Sequence, residues 1–421
     1  MDIHRKKKMR MGKITAYIAL VFFFCGGFTL FGQTVVIRGG EIHTMEENVL
    51  ASGTILIRDG KIVEIGEEIL VPEDAQIIEA SGYVLYPGFV VSSGLFTSDE
   101  PRNFESYTPD ASAADRFDFH GDYIRYLRGG VTSAFVAMPA NRIISGKGMV
   151  VKLGSGGKMS LILKKEAALS INLGKNAVLP PMTDIFPAPV SVENPLVPSS
   201  KQFPSSSLGA LWLLHELFRM ESFSGDLAWH FQNVSDSLKM AQAQGLPLIV
   251  KAQETKEIQQ AIQFAESVRM PLIIQGASVT NPMIRILKEK DIPVIAEADV
   301  RPNGHWKSVD SANVNERQKS LKNIPFLIGQ GLQVALTTTD EKYLPDLFWI
   351  VQYFQKYGIS VEEIIKTITI NPAKIFGVDD RIGSLAKGKD ADILFFKREP
   401  GVPLPVLKKV MSEGLIVNEE K

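Results

Sequence analysis

The rhythm of hydrophobic and polar positions changes twice along the chain. From Thr34 the spacing is that of strands. Val35-Val36-Ile37-Arg38-Gly39-Gly40 runs into a turn, and the runs 54–58 and 61–65 flank Asp59-Gly60. An Asp-Gly pair between two such runs predicts a two-residue hairpin, because the tight turn needs positive φ at both central positions. Residues 76–80 and 83–85 extend this into a small antiparallel β unit. Short apolar runs at 131–136, 246–250, 271–274, 292–296 and 333–337 then alternate with helical spacing at 255–268, 283–290 and 344–357, the last stopping at Gly358. Repeated strand–helix units of this kind predict a parallel sheet, and over this length a closed one. Residues 392–396 and 415–417 return to strand spacing. The fold class is therefore α/β. A (β/α)8 TIM-like barrel is expected over residues 86–382, with a small β-sandwich domain formed by both termini, 33–85 and 383–421. Residues 180–204 hold seven Pro and several Ser. Such a stretch is irregular, either a surface excursion or a loop over the barrel mouth.

Composition narrows the chemistry. With 421 residues, 22% of them charged, and a net charge of −1, the chain is long enough for a sizeable core and has no nucleic-acid footprint. Its single cysteine, Cys25, excludes an intrachain disulfide framework and any zinc site built on cysteine pairs. The six histidines are His4, His43, His120, His215, His230 and His305. The nearest two are fifteen residues apart, so neither an HxH nor an HExxH motif exists.

The first residues read as an address. His4, Arg5, Lys6, Lys7, Lys8, Arg10 and Lys13 precede an uncharged, mostly apolar run from Ile14 to Gly32. A cationic segment followed by an apolar one predicts a secretory signal cleaved near Gly32-Gln33, or an uncleaved anchor of about 20 residues. Residues 1–32 are assigned to that role. The body is then expected to be exported, periplasmic or extracellular, and to meet a membrane only through this segment.

Three stretches carry a family resemblance. The first is Gly82-Tyr83-Val84-Leu85-Tyr86-Pro87-Gly88-Phe89-Val90. The second is Gly129-Gly130-Val131-Thr132-Ser133, followed by Ile144-Ser145-Gly146-Lys147-Gly148-Met149-Val150-Val151-Lys152-Leu153. The third is Thr369-Ile370-Asn371-Pro372-Ala373-Lys374, leading to Arg381-Ile382-Gly383-Ser384-Leu385-Ala386-Lys387-Gly388-Lys389-Asp390-Ala391-Asp392. Together they resemble the amidohydrolase superfamily, on the branch that includes imidazolonepropionases and prolidase-like enzymes. The third motif is the most specific, and it reports the fold, not the chemistry.

The resemblance implies a metal-dependent hydrolase. One or two divalent ions would sit at the barrel mouth, held by His-x-His after strand 1, single histidines after strands 5 and 6, and an Asp after strand 8. Carried over position by position, the pattern departs from this. Ser93 and Leu95 stand at the strand 1 positions, Lys251 at strand 5 and Gln275 at strand 6. Leucine and a protonated lysine have no lone pair to offer, and a neutral hydroxyl is a poor zinc ligand. Thr337-Thr338-Thr339-Asp340 matches strand 8, with Asp340 in the acid/base position. Asp340 is either a general acid/base or a residue that caps the next helix or pairs with a cation. Lys251 is expected to place its ammonium where the metal would lie and to pair with Asp340. Asp99 and Glu100 could add carboxylates for a harder cation. Phe104, Tyr107, Phe117, Phe119 and Trp306 are either pocket lining or packing.

Two functions follow. One is an exported homologue with no resident metal or other cofactor, non-catalytic or weakly active. It would bind a small amide-like ligand or assemble as a homo- or hetero-oligomer with an active relative. The other is a hydrolase of C–N bonds in cyclic or dipeptide amides, with an altered site holding one zinc-like divalent ion and Asp340 as acid/base.

Overall fold

The computed structural model describes residues 34–46, 49–94, 96, 107–138, 142–173, 204, 206–219, 228–276, 281–298, 322–338, 341–399 and 405–419. Residues 1–32, where an export signal or anchor is expected, and the Pro-rich stretch up to residue 203 lie outside them. No helix among the described residues is long and apolar enough to cross a membrane.

The chain opens with β1 (Thr34–His43), β2 (Val49–Arg58), β3 (Lys61–Gly66), β4 (Gln76–Glu79) and β5 (Tyr83–Pro87). Asp59 and Gly60 adopt φ of 52° and 74° between β2 and β3, the double positive-φ turn that their sequence predicts. Eight strands follow: β6 (Phe89–Gly94), β7 (Val131–Val136), β8 (Ile144–Lys152), β9 (Leu161–Asn172), β10 (Leu248–Ala252), β11 (Leu272–Gly276), β12 (Val294–Ala298) and β13 (Val334–Thr338). They are hydrogen-bonded in chain order. The ring is nearly closed by side chains: Ser92 Oγ donates to the Leu336 carbonyl at 3.1 Å, and Thr337 Oγ1 donates to the Ser93 carbonyl at 3.0 Å.

The barrel expected from the alternating pattern is present, with one departure from strict (β/α)8 order. β7–β8 and β8–β9 pair antiparallel. The links between these strands, 137–143 and 153–160, are seven and eight residues long. A parallel crossover needs a dozen or more, so the short links force antiparallel neighbours. The other ring neighbours that share a ladder, β6–β7 and β9 through β13, are parallel.

Inward-facing side chains follow the period of two. Val90, Phe135, Val150, Ile249, Ile273, Ile295 and Ala335 fill the lower barrel in one buried cluster, joined by Phe376. Phe376 stacks on Phe135 with ring centroids 4.2 Å apart. The helix Ile370–Phe376 thus plugs the bottom of the ring. Asn371 Nδ2 ties it to the Val334 carbonyl at 2.8 Å, and Gly377 ends it at φ 62°. The Asn of the third motif therefore serves the architecture.

β14 (Ile393–Lys397), β15 (Val406–Ser412) and β16 (Leu415–Glu419) return to the first sheet, whose order is β16-β15-β14-β5-β1-β2-β3, with β4 on β1. Val35, Ile37, Ile55, Ile57, Ile393, Phe395 and Met411 share one core. Strands from the first and the last described parts of the chain share that core.

A buried charge cluster joins the two sheets. Lys152, at the end of β8, is 2% exposed. Its Nζ lies 2.5 Å from Asp390 Oδ2 and 3.0 Å from Asp392 Oδ2. Asp390 also accepts from Lys61 Nζ at 2.8 Å and Arg381 Nη2 at 2.9 Å. Asp392 accepts the Glu413 backbone N–H at 3.0 Å. Burial alone pushes Lys152 down, but Asp392 and Asp390 together outweigh it and hold the ammonium above its ordinary value. Burial likewise pushes Asp390 up, while Lys152, Lys61 and Arg381 draw it below the ordinary carboxylate value.

Candidate functional site

One step above the apolar layer, the period of two sets a ring of polar residues. Two residues beyond Ile249, Ile273 and Ile295 stand Lys251, Gln275 and Glu297. In the ladder Lys251 is directly opposite Gln275, and Glu297 is opposite Thr337. These positions lie at the C-terminal ends of parallel strands, where barrels of this class build their sites. They line a cavity of about 210 Å³ together with Ser93, Asn172, Thr338 and Glu341, and with Ala137, Met138, Ile171 and Ile249 on its apolar side.

The polar side is a connected network. Gln275 Nε2 donates to Glu297 Oε1 at 2.8 Å and to Ser93 Oγ at 3.3 Å. The carboxylate can only accept, which fixes the orientation of the Gln275 amide. Lys251 Nζ stands 3.5 Å from the same Glu297 oxygen. The Glu297 side chain is 14% exposed and that of Lys251 32%. Glu341 is held close by, its Oε1 accepting the Phe96 N–H at 3.0 Å.

The structure thus brings together three of the residues selected from sequence: Ser93, Lys251 and Gln275. Leu95 and Asp340 lie outside the described residues, as do Asp99, Glu100, Phe104, His305 and Trp306. Among the described residues, the carboxylate beside Lys251 is Glu297, a position to which the family resemblance assigns no role. Its signal was nonetheless there: an acidic residue two positions after Ile295 in the otherwise apolar run Val294-Ile295-Ala296-Glu297-Ala298.

His43, His120 and His215 do not line the cavity. His43 lies in the terminal sheet, 2.8 Å from Glu41, His120 is exposed, and His215 shares a 3.3 Å hydrogen bond with Ser267. Phe117 stacks on Tyr123, with centroids 5.2 Å apart, and meets Phe119 edge-on. With buried Tyr107 they are packing, away from the cavity.

Among the described residues no group of three or more His, Cys, Asp or Glu side chains converges. The polar groups at the described strand ends are two hydroxyls, an ammonium, two amides and one carboxylate already engaged by the Gln275 amide. That set does not fit zinc, which takes imidazole, thiolate or carboxylate in tetrahedral order. The described residues can instead offer a ligand both signs of charge, an amide and a hydroxyl.

Comparison with known proteins places this geometry. A family model described as the amidohydrolase family matches residues 219–417. The chain is 25% identical over 394 residues to an adenine deaminase of Moorella thermoacetica, an alignment covering 91% of this chain and 57% of that one. It therefore spans little more than half the length of that relative. It is 24% identical over 409 residues to a dihydroorotase of Aquifex aeolicus, covering 86% of this chain and 89% of that one. Among solved structures, an amidohydrolase from Thermotoga maritima superposes with a TM-score of 0.71 at 24% identity, over 92% of this chain and all of the other. That last likeness is one of fold.

Proposed function

The chain carries the amidohydrolase fold and matches the family over residues 219–417, and from that premise we propose that it is an exported, non-catalytic or weakly active member that binds a small ligand or a partner at its barrel mouth. The carrying observation is the network of Ser93, Gln275, Glu297 and Lys251. At the strand 5 and 6 ends, where the family resemblance implies histidines on a metal, this chain has an ammonium and an amide on a shared carboxylate. Loss of such ligands would remove both the activation of water and the polarisation of the scissile carbonyl. The cavity retains hydrogen-bonding groups suited to an amide-like ligand. The basic and apolar N-terminal segment supports export, and a homo-oligomer or a complex with an active relative is the form such a subunit would take.

A second reading is a hydrolase of C–N bonds with one zinc-like ion in an altered site and Asp340 as acid/base. It is favoured by the relatives, which are a deaminase and a dihydroorotase. Metal analysis of the purified full chain separates the two. The first reading expects well under one divalent ion per chain and little or no turnover of adenine, dihydroorotate or a dipeptide panel. About one tightly held ion per chain, with turnover that disappears in Asp340→Asn, establishes the second reading and overturns the first.

A further inference from the structure

We infer that the barrel cavity takes a small zwitterion, a free aliphatic α-amino acid, with its carboxylate on Lys251 and its ammonium on Glu297. The inference rests on the ligand-binding reading above. It starts from an incomplete ion pair. Lys251 Nζ and Glu297 Oε1 are 3.5 Å apart, longer than the ~2.7–2.9 Å of a tight charge-assisted bond. The ammonium has three donors, and that long contact is its one polar contact among the described residues. Glu297 Oε1 serves both Lys251 and Gln275, while Oε2 has no hydrogen-bond partner among the described residues. Both charges keep unused capacity, and both face the cavity.

The choice of ligand follows from the sign of these groups. A simple anion on Lys251 would meet the Glu297 carboxylate, and a simple cation on Glu297 would meet the Lys251 ammonium. Like charges at such range repel. A ligand carrying both charges one carbon apart satisfies both groups at once. Ser93 and the Gln275 amide, already in the network, flank the charged end. Ala137, Met138, Ile171 and Ile249 form an apolar wall for the side chain. The volume, about 210 Å³, lies below the ~300 Å³ at which drug-sized sites begin.

The test is calorimetric titration of the full chain with L-leucine, N-acetyl-L-leucine and L-leucinamide. Leucine is expected to bind, and each blocked probe to bind roughly tenfold or more weakly, as loss of a charge-assisted hydrogen bond implies. In Lys251→Met, leucine should lose its advantage over leucinamide, which no longer meets the lysine ammonium and should bind no more weakly than before. In Glu297→Gln, leucine should likewise lose its advantage over N-acetyl-leucine, which no longer meets the glutamate carboxylate. Absence of leucine binding at millimolar concentration, or equal affinity for all three probes, overturns the inference. If either variant fails to fold, by circular dichroism, the three-probe series on the unaltered chain decides alone. Metal content of the same sample keeps the two ideas apart. Silent leucine without metal sinks the amino-acid ligand only, whereas bound metal with turnover sinks the binding-protein reading itself.

Discussion

Lys152 and Lys251 both stand near the ends of barrel strands, and their surroundings give them opposite parts. Lys152 is sealed between two aspartates at the junction with the terminal sheet, while Lys251 is part-exposed in the cavity beside one glutamate. Removing the buried cation leaves Asp392 without a charged partner among the described residues and Asp390 with only Lys61 and Arg381. Lys152→Met should therefore destabilise the protein by about 3–5 kcal/mol, whereas Lys251→Met should change stability by less than about 1 kcal/mol, as for a solvent-screened pair. Urea denaturation of the two variants checks this, and equal losses would refute the contrast. Single side chains were unevenly legible in the sequence. Ser93, Lys251 and Gln275 could be found because motifs and apolar runs locate strand ends, and a strand end fixes which residue faces the mouth. Glu297 was missed because the family comparison names no ligand on its strand. Only the period of two, counted from Ile295, points it inward. Lys152 lay inside a quoted motif, but its burial depends on Asp390 and Asp392, more than two hundred residues away, which no local pattern reveals.

Strands and helices whose signals are local were read nearly in full. The helix 255–268 and the strand 131–136 fall where their spacing puts them. The strands at 248–252, 272–276, 294–298 and 334–338 start one or two residues later than their apolar runs. The expected helix 344–357 is instead a sequence of short pieces. A 3-10 turn runs from Glu341 to Asp346 with Pro345 inside it, followed by an α-helix Leu347–Tyr353 and a second 3-10 turn Phe354–Tyr357. Pro345 has no N–H for a regular helix, which accounts for the break. Gly358 does cap the end, at φ 82°. The antiparallel pair β8–β9 escapes a periodicity reading because all nine residues of β8 are buried, which removes the alternation. The glycines of its motif are explained by contact. Gly146 sits at φ 118°, and a Cβ there would lie 2.4 Å from the Ala111 carbonyl oxygen. Gly146→Ala should cost about 2–4 kcal/mol through strain and overpacking. Gly156→Ala, at φ 60° with nothing within 4 Å, should cost only about 1–2 kcal/mol. Denaturation midpoints that fall equally would show that the close approach at Gly146 is unimportant.

Taken whole, the molecule is two sheets held by a charged seam, and the seam gives its stability a pH signature. Asp390 is held below its ordinary value by cations. Its contribution is complete above the unfolded value of ~3.9 and is lost as pH falls through the depressed folded one. Lys152 is held above its ordinary value. Its contribution is complete below ~10.4 and is lost as pH rises through the raised folded one. Stability from this cluster should be level between those limits and fall outside both. Urea midpoints measured across acid and alkaline pH test this. Asp390→Asn should flatten the difference on the acid side, and an unchanged acid limb in that variant would assign the loss to other groups. The two-sheet plan was legible because both termini carry strand spacing around a strand–helix middle. The seam was not, since it exists only once β8 and the 390–392 segment are brought together.

The antiparallel trio also decides where this protein can be remodelled by descent. In an all-parallel barrel every strand hands its chain to a loop at the rim. Here the eight residues between β8 and β9 turn at the opposite end, and the seven between β7 and β8 span adjacent strands of the wall. The β8–β9 link is thereby withdrawn from the rim, while the β7–β8 link stays on it and lends Ala137 and Met138 to the cavity. Insertions that retune ligand preference are therefore expected after β7 as after the parallel strands, and not between β8 and β9.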